Sequence, residues 1–154
     1  MQVLDNPSAR RLFLQVQGLG DAPAGPARGA DLAALIARLG FVQVDSINIV
    51  ERAHHMILFA RRQSYRPEYL KPLLERDRAL FEHWTHDASV IPMGDFGHWH
   101  HRFARDAARL DANWQSWFRG GFREKFTEIL ARIAAEGPVT STDVGEGEAR
   151  GRGG

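Results

Sequence analysis

The stretch DLAALIARLGFVQVDSINIVERAHHMILFARR, residues 31–62, changes its hydrophobic period twice, and those changes decide the fold. Leu32, Leu35, Ile36 and Leu39 recur at three- and four-residue intervals, the stripe of an amphipathic helix. Asp31 stands where an N-cap belongs and Gly40 where a helix stops. Phe41-Val42-Gln43-Val44-Asp45 follows, short and partly β-branched, which predicts a strand. Helical spacing resumes over about Glu51 to Arg62, with Ala53, Ile57 and Ala60 expected to face inward.

Toward the C-terminus, Pro67 opens a further helix reaching Asp77, with Tyr69, Leu70, Leu73 and Leu74 as its core face. Leu80–Trp84 and Ala88–Ile91 predict two short strands joined by a turn at Thr85-His86-Asp87. From Asp31 the order is helix, strand, helix, helix, strand, strand. That is the order of a winged helix, a helix-turn-helix followed by a β-hairpin wing. The Pro67–Asp77 helix then takes the place of a recognition helix. Upstream, Asn6 is the expected cap of a helix with Pro7 in its first turn and Leu12, Phe13, Val16 and Leu19 along one side. Asp21–Pro26 reads as a loop. Downstream, Asp95–Leu110 and Asn113–Ala135 predict helices, with Gly120-Gly121 placed to kink or divide the second. Gly137-Pro138 stops that helix, and Ser141-Thr142-Asp143 offers a cap for another. The fold class expected is mainly α with a small β component: a winged helix-turn-helix plus additional helices.

Composition narrows the chemistry. The 154 residues include no cysteine, which removes disulfides, iron–sulfur clusters and a thiol nucleophile. The net charge of +1 does not by itself announce a nucleic-acid binder. The cations are nearly all arginine, with Lys71 and Lys125 the only lysines. Arginine suits phosphate and base recognition, and a GC-rich genome produces the same bias. No apolar run is long enough to span a bilayer, and the N-terminus lacks the pattern of a signal peptide, so a cytoplasmic location is expected.

Gln43 and Asp45 carry the most specific chemistry. Residues two apart on a strand share a face, so an amide and a carboxylate sit side by side. Such a pair can hold and deprotonate a water or stabilise a developing cation. Spacing alone leaves a second reading open, in which Asp45 caps the next helix through Ser46 or Ile47 and Gln43 is solvated. The histidines His54, His55, His83, His86, His98, His100 and His101 lack the spacing of a zinc site, and no metal is expected. Trp84, Trp99, Trp114 and Trp117 suit either stacking on an extruded base or filling a core. Neither a glycine-rich phosphate loop nor a G-x-S-x-G elbow is present.

The run Leu39–His55 resembles the signature of the YcaQ/AlkZ-type winged-helix DNA glycosylases, the crosslink-repair glycosylases. Leu58-Phe59-Ala60-Arg61, Phe81–Ser89 and Pro92-Met93 extend the likeness, and it continues more weakly from Ala9-Arg10-Arg11-Leu12 to Glu136–Val139. The resemblance implies three tandem winged helices and a β-barrel, of which this chain would hold an N-terminal fragment. Residues 1–110 would be the first winged-helix unit with its N-terminal helix. Residues 111–136 would be a connecting helix, and residues 137–154 a truncated, Gly-rich and disordered start of the second unit. The family's catalytic motif is Gln-x-Gln or Gln-x-Asp, and Gln43-Val44-Asp45 matches the second form.

The implied activity is excision of N7-alkylated guanine and unhooking of interstrand crosslinks made through N7. An N7-alkylguanine already carries positive charge and leaves without a general acid. Asp45 would stabilise the oxocarbenium-like sugar or activate water, and Gln43 would position that water. No lysine lies near the motif, so the enzyme is expected to be monofunctional. Arg52, His54, His55 and Arg61 fall in the matching stretch and are expected to contact DNA or support the site. The expected partner is double-stranded DNA carrying alkylated bases, in a bacterial cytoplasm at the nucleoid, with the protein a monomer needing no cofactor and no membrane. The loop Asp21–Ala30 departs from the pattern in holding only Arg28 as a basic residue. A non-catalytic winged-helix DNA-binding regulator is the rival expectation, and a histidine-based metalloprotein a second.

Overall fold

The computed structural model describes residues 3–117 and 122–139. It is mainly helical with one small three-stranded antiparallel sheet, compatible with a winged-helix fold. The chain divides into two compact units, Met1–His100 and His101–Gly154.

In the first unit, α1 is Asn6–Val16, α2 is Gly29–Leu39, β1 is Val42–Gln43 and α3 is Ala53–Phe59. A 3₁₀ turn, Pro67–Tyr69, runs into α4, Leu70–Glu75. The hairpin β2 (Leu80–Trp84) and β3 (Ala88–Pro92) follows, then a 3₁₀ segment, Met93–Trp99. The sheet order is β1-β3-β2, so the short first strand lies on the far side of the hairpin's second strand. Val42 opposes Val90 and Gln43 opposes Ser89. Across β2, Glu82 opposes Val90 and His83 opposes Ser89.

That register sorts the side chains. Val42, Val90 and Leu80 join one core cluster with Leu32, Leu35 and Ile36 of α2, Leu58 of α3, Leu70 and Leu73 of α4, and Tyr65. The other face carries Gln43, Ser89, His83 and Phe81, because directly opposed residues share a face and alternate residues do not. The Met93–Trp99 segment covers part of this second face. Phe81 meets Phe96 and Trp99 edge-on at 5.2 and 5.8 Å, and the Trp99 indole donates to His83 Nδ1 at 3.1 Å. The stretch expected to be helical from Asp95 is 3₁₀ as far as Trp99, where Gly94 and Gly97 weaken an α-helix.

Arginines tie the N-terminal helix to this body. No residue of α1 is buried. Instead Arg38 donates to the Gln15 carbonyl at 2.6 Å and Arg61 Nε to the Gln17 carbonyl at 2.7 Å. Both guanidiniums thereby meet carbonyls at the negative end of a helix. Gly18, at φ +67°, makes the left-handed turn that ends α1 beside Arg61. The 21–28 loop is anchored by Gln63 N–H on the Pro23 carbonyl, Ser64 Oγ on the Gly25 carbonyl, and buried Ala27.

Several local expectations shift. The cap of α1 is Asp5, whose carboxylate accepts Ser8 N–H at 2.8 Å, so Asn6 lies inside the helix. Helix α2 starts at Gly29 after Arg28, and Asp31 sits in its first turn, where an acidic side chain favours the helix dipole without capping it. Gly40 does end α2, at φ +85°. Helix α3 buries His54 and Leu58, and Arg61 just beyond it, while Ala60 is exposed. The helical period is as expected but its phase moves, because a histidine and an arginine take interior positions that hydropathy assigns to solvent.

Helix α5 is His100–Trp117, all but its first residue in the second unit, and α6 is Phe122–Glu136. On α5, Asp106 lies 3.5 to 3.6 Å from Arg102, Arg105 and Arg109. On α6, Phe126, Leu130 and Ile133 are exposed. The division expected at Gly120-Gly121 and the cap at Ser141–Asp143 lie outside the described residues.

Leu58 is fully buried on α3, whereas Met56, two residues earlier, is 52% exposed. Leu58→Ala is therefore expected to cost about 2–5 kcal/mol of stability. Met56→Ala is expected to stay within about 0.5 kcal/mol. Urea denaturation of the two variants checks the assignment of the inward face.

Candidate active site

Gln43 ends the β1 ladder, and one further bond, Val44 N–H to the Ala88 carbonyl at 2.8 Å, keeps the next residue extended. The chain then leaves the sheet at Asp45. Its carboxylate Oδ1 accepts Ile47 N–H at 2.8 Å, closing a tight turn. Helix α3 begins only at Ala53, so Asp45 serves that local turn and does not cap the helix. Oδ2 has no protein partner among the described residues.

Behind Asp45 stands His54. Its Nδ1 accepts the Asp45 backbone N–H at 3.2 Å, which requires a neutral ring protonated on Nε2. The residue is only 4% exposed. Burial pushes its pKa down to about 4, with His55 and Arg52 acting the same way against Glu51 and Asp45. His55 packs on His54 with ring centres 4.1 Å apart and shares a 2.8 Å hydrogen bond with the buried Tyr65 hydroxyl. Burial lowers the His55 pKa and raises that of Tyr65. The bond between Asp45 and His54 closes the loop from 45 to 54 at its neck, so the two histidines hold the carboxylate's backbone from the core side.

Gln43 is held from the opposite direction. Its Nε2 donates to Asp87 Oδ2 at 3.2 Å, and its Oε1 lies 3.2 Å from His86 Nε2. Both partners come from the hairpin turn, which the pairing of Gln43 with Ser89 brings alongside β1. Gln43 is thus not simply solvated. Sequence reading places His86 and Asp87 in a turn within the matching stretch and gives neither a role beside Gln43. The signal that finds them is the strand register, which spacing does not supply. A cleft of about 240 Å³, lined by Val44, Glu82, His83, Trp84, Ala88 and Ser89, reaches the middle residue of the motif but neither Gln43 nor Asp45.

The remaining expected residues divide. Arg52 precedes α3 and is exposed at its N-terminus. Arg61 is 7% exposed, and its guanidinium is engaged with the Gln17 and Ile57 carbonyls, joining α1 to α3. Its contacts are those of a structural tie. Among the described residues, no three His, Asp or Glu side chains converge in the way a metal site requires. No helix among them is long and apolar enough to cross a membrane.

Residues 36–154 match the model of the family described as DNA glycosylase AlkZ-like, well over half of the chain. The chain belongs to the AlkZ-like DNA glycosylase family. No solved structure matches it. Membership carries the general activity of a DNA-repair glycosylase and DNA as the partner. The matched range begins inside α2 and takes in the Gln43–Asp45 motif, α3, α4 and the whole hairpin.

Because the folded-state pKa of His54 lies at about 4, below its ordinary 6.5, the unfolded chain binds more protons between those values. The stabilisation is fully present above pH 6.5 and is lost as pH falls toward 4; His55, shifted the same way, adds to it. His54→Asn keeps an acceptor for the Asp45 N–H and cannot titrate. The urea midpoint of the native chain is expected to fall more steeply between pH 6.5 and 4.5 than that of the variant. Parallel curves would exclude His54 as the source.

Proposed function

We propose that the protein hydrolyses the N-glycosidic bond of N7-alkylguanine in DNA, with Asp45 as electrostatic stabiliser or base and Gln43 positioning the water. The observation that carries this reading is the state of Asp45. One carboxylate oxygen is fixed by Ile47 N–H and the backbone by His54, which leaves the second oxygen oriented at the end of β1. A carboxylate held in this way needs little reorganisation as positive charge develops on a sugar. N7 alkylation makes the base cationic, so departure needs no general acid. Crosslinks formed through N7 contain the same cationic purine, and their unhooking belongs to the same proposal.

Two features support a monofunctional hydrolase. Lysine is confined to Lys71 and Lys125, and Lys71 pairs with Glu75 along α4, 3.7 Å away. No amine stands in the 45–54 loop to form a Schiff base with the sugar. The charges on α4 also weigh against a regulator using that helix in a major groove. Lys71 is matched by Glu75 and Arg76 by Asp77, so few unmatched cations face phosphate. We read residues 1–110 as the first winged-helix unit, residues 111–136 as the connecting segment and residues 137–154 as the start of a second unit. Arg52, exposed beside the loop, is the one of the four flanking residues best placed to meet DNA.

The test is release of free 7-methylguanine from methylated duplex DNA, measured by chromatography under single-turnover conditions. Asp45→Asn, which keeps the acceptor for Ile47 N–H and loses the charge, is expected to slow release about 100-fold or more. Unchanged release in that variant would sink the mechanism. Duplex binding without release by the native chain would favour the regulator.

A further inference from the structure

The hairpin turn holds both ends of one amide. Gln43 Nε2 faces Asp87 Oδ2 and Gln43 Oε1 faces His86 Nε2, each at 3.2 Å. A carboxylate only accepts hydrogen bonds, so the NH2 end of Gln43 must be the end toward Asp87. The carbonyl end is then toward His86, whose Nε2 must donate. Reversing the amide would set its oxygen against the carboxylate, two acceptors face to face.

The turn itself is fixed. Asp87 Oδ1 accepts Ala88 N–H at 2.8 Å, so the carboxylate cannot swing away. Ser89 Oγ donates to the Asp87 carbonyl at 3.0 Å. The Phe41 ring meets the His86 ring edge-on with centres 5.9 Å apart. A primary amide offers two N–H donors and two lone pairs, and the turn takes one of each. One donor and one lone pair are left at defined directions, which is what a residue that orients a water requires.

We propose that Asp87 and His86 are positioning residues that hold the Gln43 amide in a single orientation toward the attacking water. The proposal rests on the reading of Gln43 given above. Asp87 selects the orientation because it is acceptor-only. His86 completes it by donating from Nε2, which requires the proton to sit on that nitrogen. Neither residue needs to touch substrate.

A double-mutant cycle tests it, with single-turnover release of 7-methylguanine as one readout and duplex affinity as the other. Asp87→Asn keeps size, but with its one oxygen on Ala88 N–H it turns an NH2 donor toward Gln43 and so no longer selects the native amide orientation. It is expected to slow release about 10-fold or more while leaving duplex affinity within about twofold, since misplacement of a reacting group acts on the chemical step. In a Gln43→Ala background the same change is expected to add nothing. Equal slowing in both backgrounds overturns the proposal. The ¹H–¹⁵N signals of the Gln43 side chain, assigned by their loss in Gln43→Ala, give an independent measure. They are expected to shift or double in Asp87→Asn, and signals that stay unchanged also overturn the proposal. If Gln43→Ala does not slow release, the reading of Gln43 fails and the positioning role with it. The amide signals still report the clamp in that event, so the two failures are told apart.

Discussion

The structure depends on the pairing of β1 with β3. This contact is only two residues of ladder with one further bond at Val44, yet it does three things at once. It turns a two-stranded hairpin, which is marginal alone, into a three-stranded sheet with a buried face. It seats Val42 against Val90 in the cluster built by α2, α3 and α4. It also sets Gln43 opposite Ser89, beside the hairpin turn. A slip of one residue would send Gln43 into the core and Val42 to the polar face. The apolar requirement at Val42 therefore fixes the orientation of the motif, and the same burial that stabilises the sheet sets the direction of Gln43.

Most of the fold was legible because period and punctuation agree. The stripe of Leu32, Leu35 and Ile36, the stop at Gly40 and the β-branched run after it placed α2 and β1 correctly. The hairpin was readable for the same reason, since Leu80–Trp84 and Ala88–Pro92 flank a polar turn. Hydropathy failed where polar groups satisfy one another inside. His54 and Arg61 are buried because each meets a backbone group, and no periodicity scale contains those partners. The caps at Asp5 and Arg28 lie one to three residues from the expected ones, a displacement set by local hydrogen bonds. The site was half legible. Gln43 and Asp45 stood out as a pair, whereas the partners of Gln43 lie more than forty positions along the chain and required the register to be found.

Two of the buried polar residues, His54 and Arg61, carry opposite costs. A neutral imidazole is a modest load for a core, and His54 meets it by accepting one backbone N–H and packing at a tilt against His55. A guanidinium stays charged, and Arg61 is tolerated because two carbonyls from different segments converge on it. Each residue closes a junction that apolar contact does not close. His54 fastens the 45–54 loop, and Arg61 fastens a helix that buries none of its own residues. Their hydrogen bonds within the protein are those of architecture around the motif.

The division of labour within the motif follows from charge. On the proposed reading, a cationic leaving group and a cationic sugar favour a negative group close by, and the one carboxylate of Asp45 would supply it. A second carboxylate in contact with the first would raise the proton affinity of both and weaken that effect. An amide avoids the problem because it orients water through dipoles alone. Its weakness is that its two ends are nearly the same shape, so packing does not tell them apart. Only hydrogen-bond polarity distinguishes them, and an acceptor-only partner does so best. Asp87 meets that need from the hairpin turn, with its own second oxygen engaged by Ala88 N–H. In the proposed mechanism the β2–β3 hairpin, which stands where a winged helix has its wing, is the frame that gives a symmetric-looking side chain a direction.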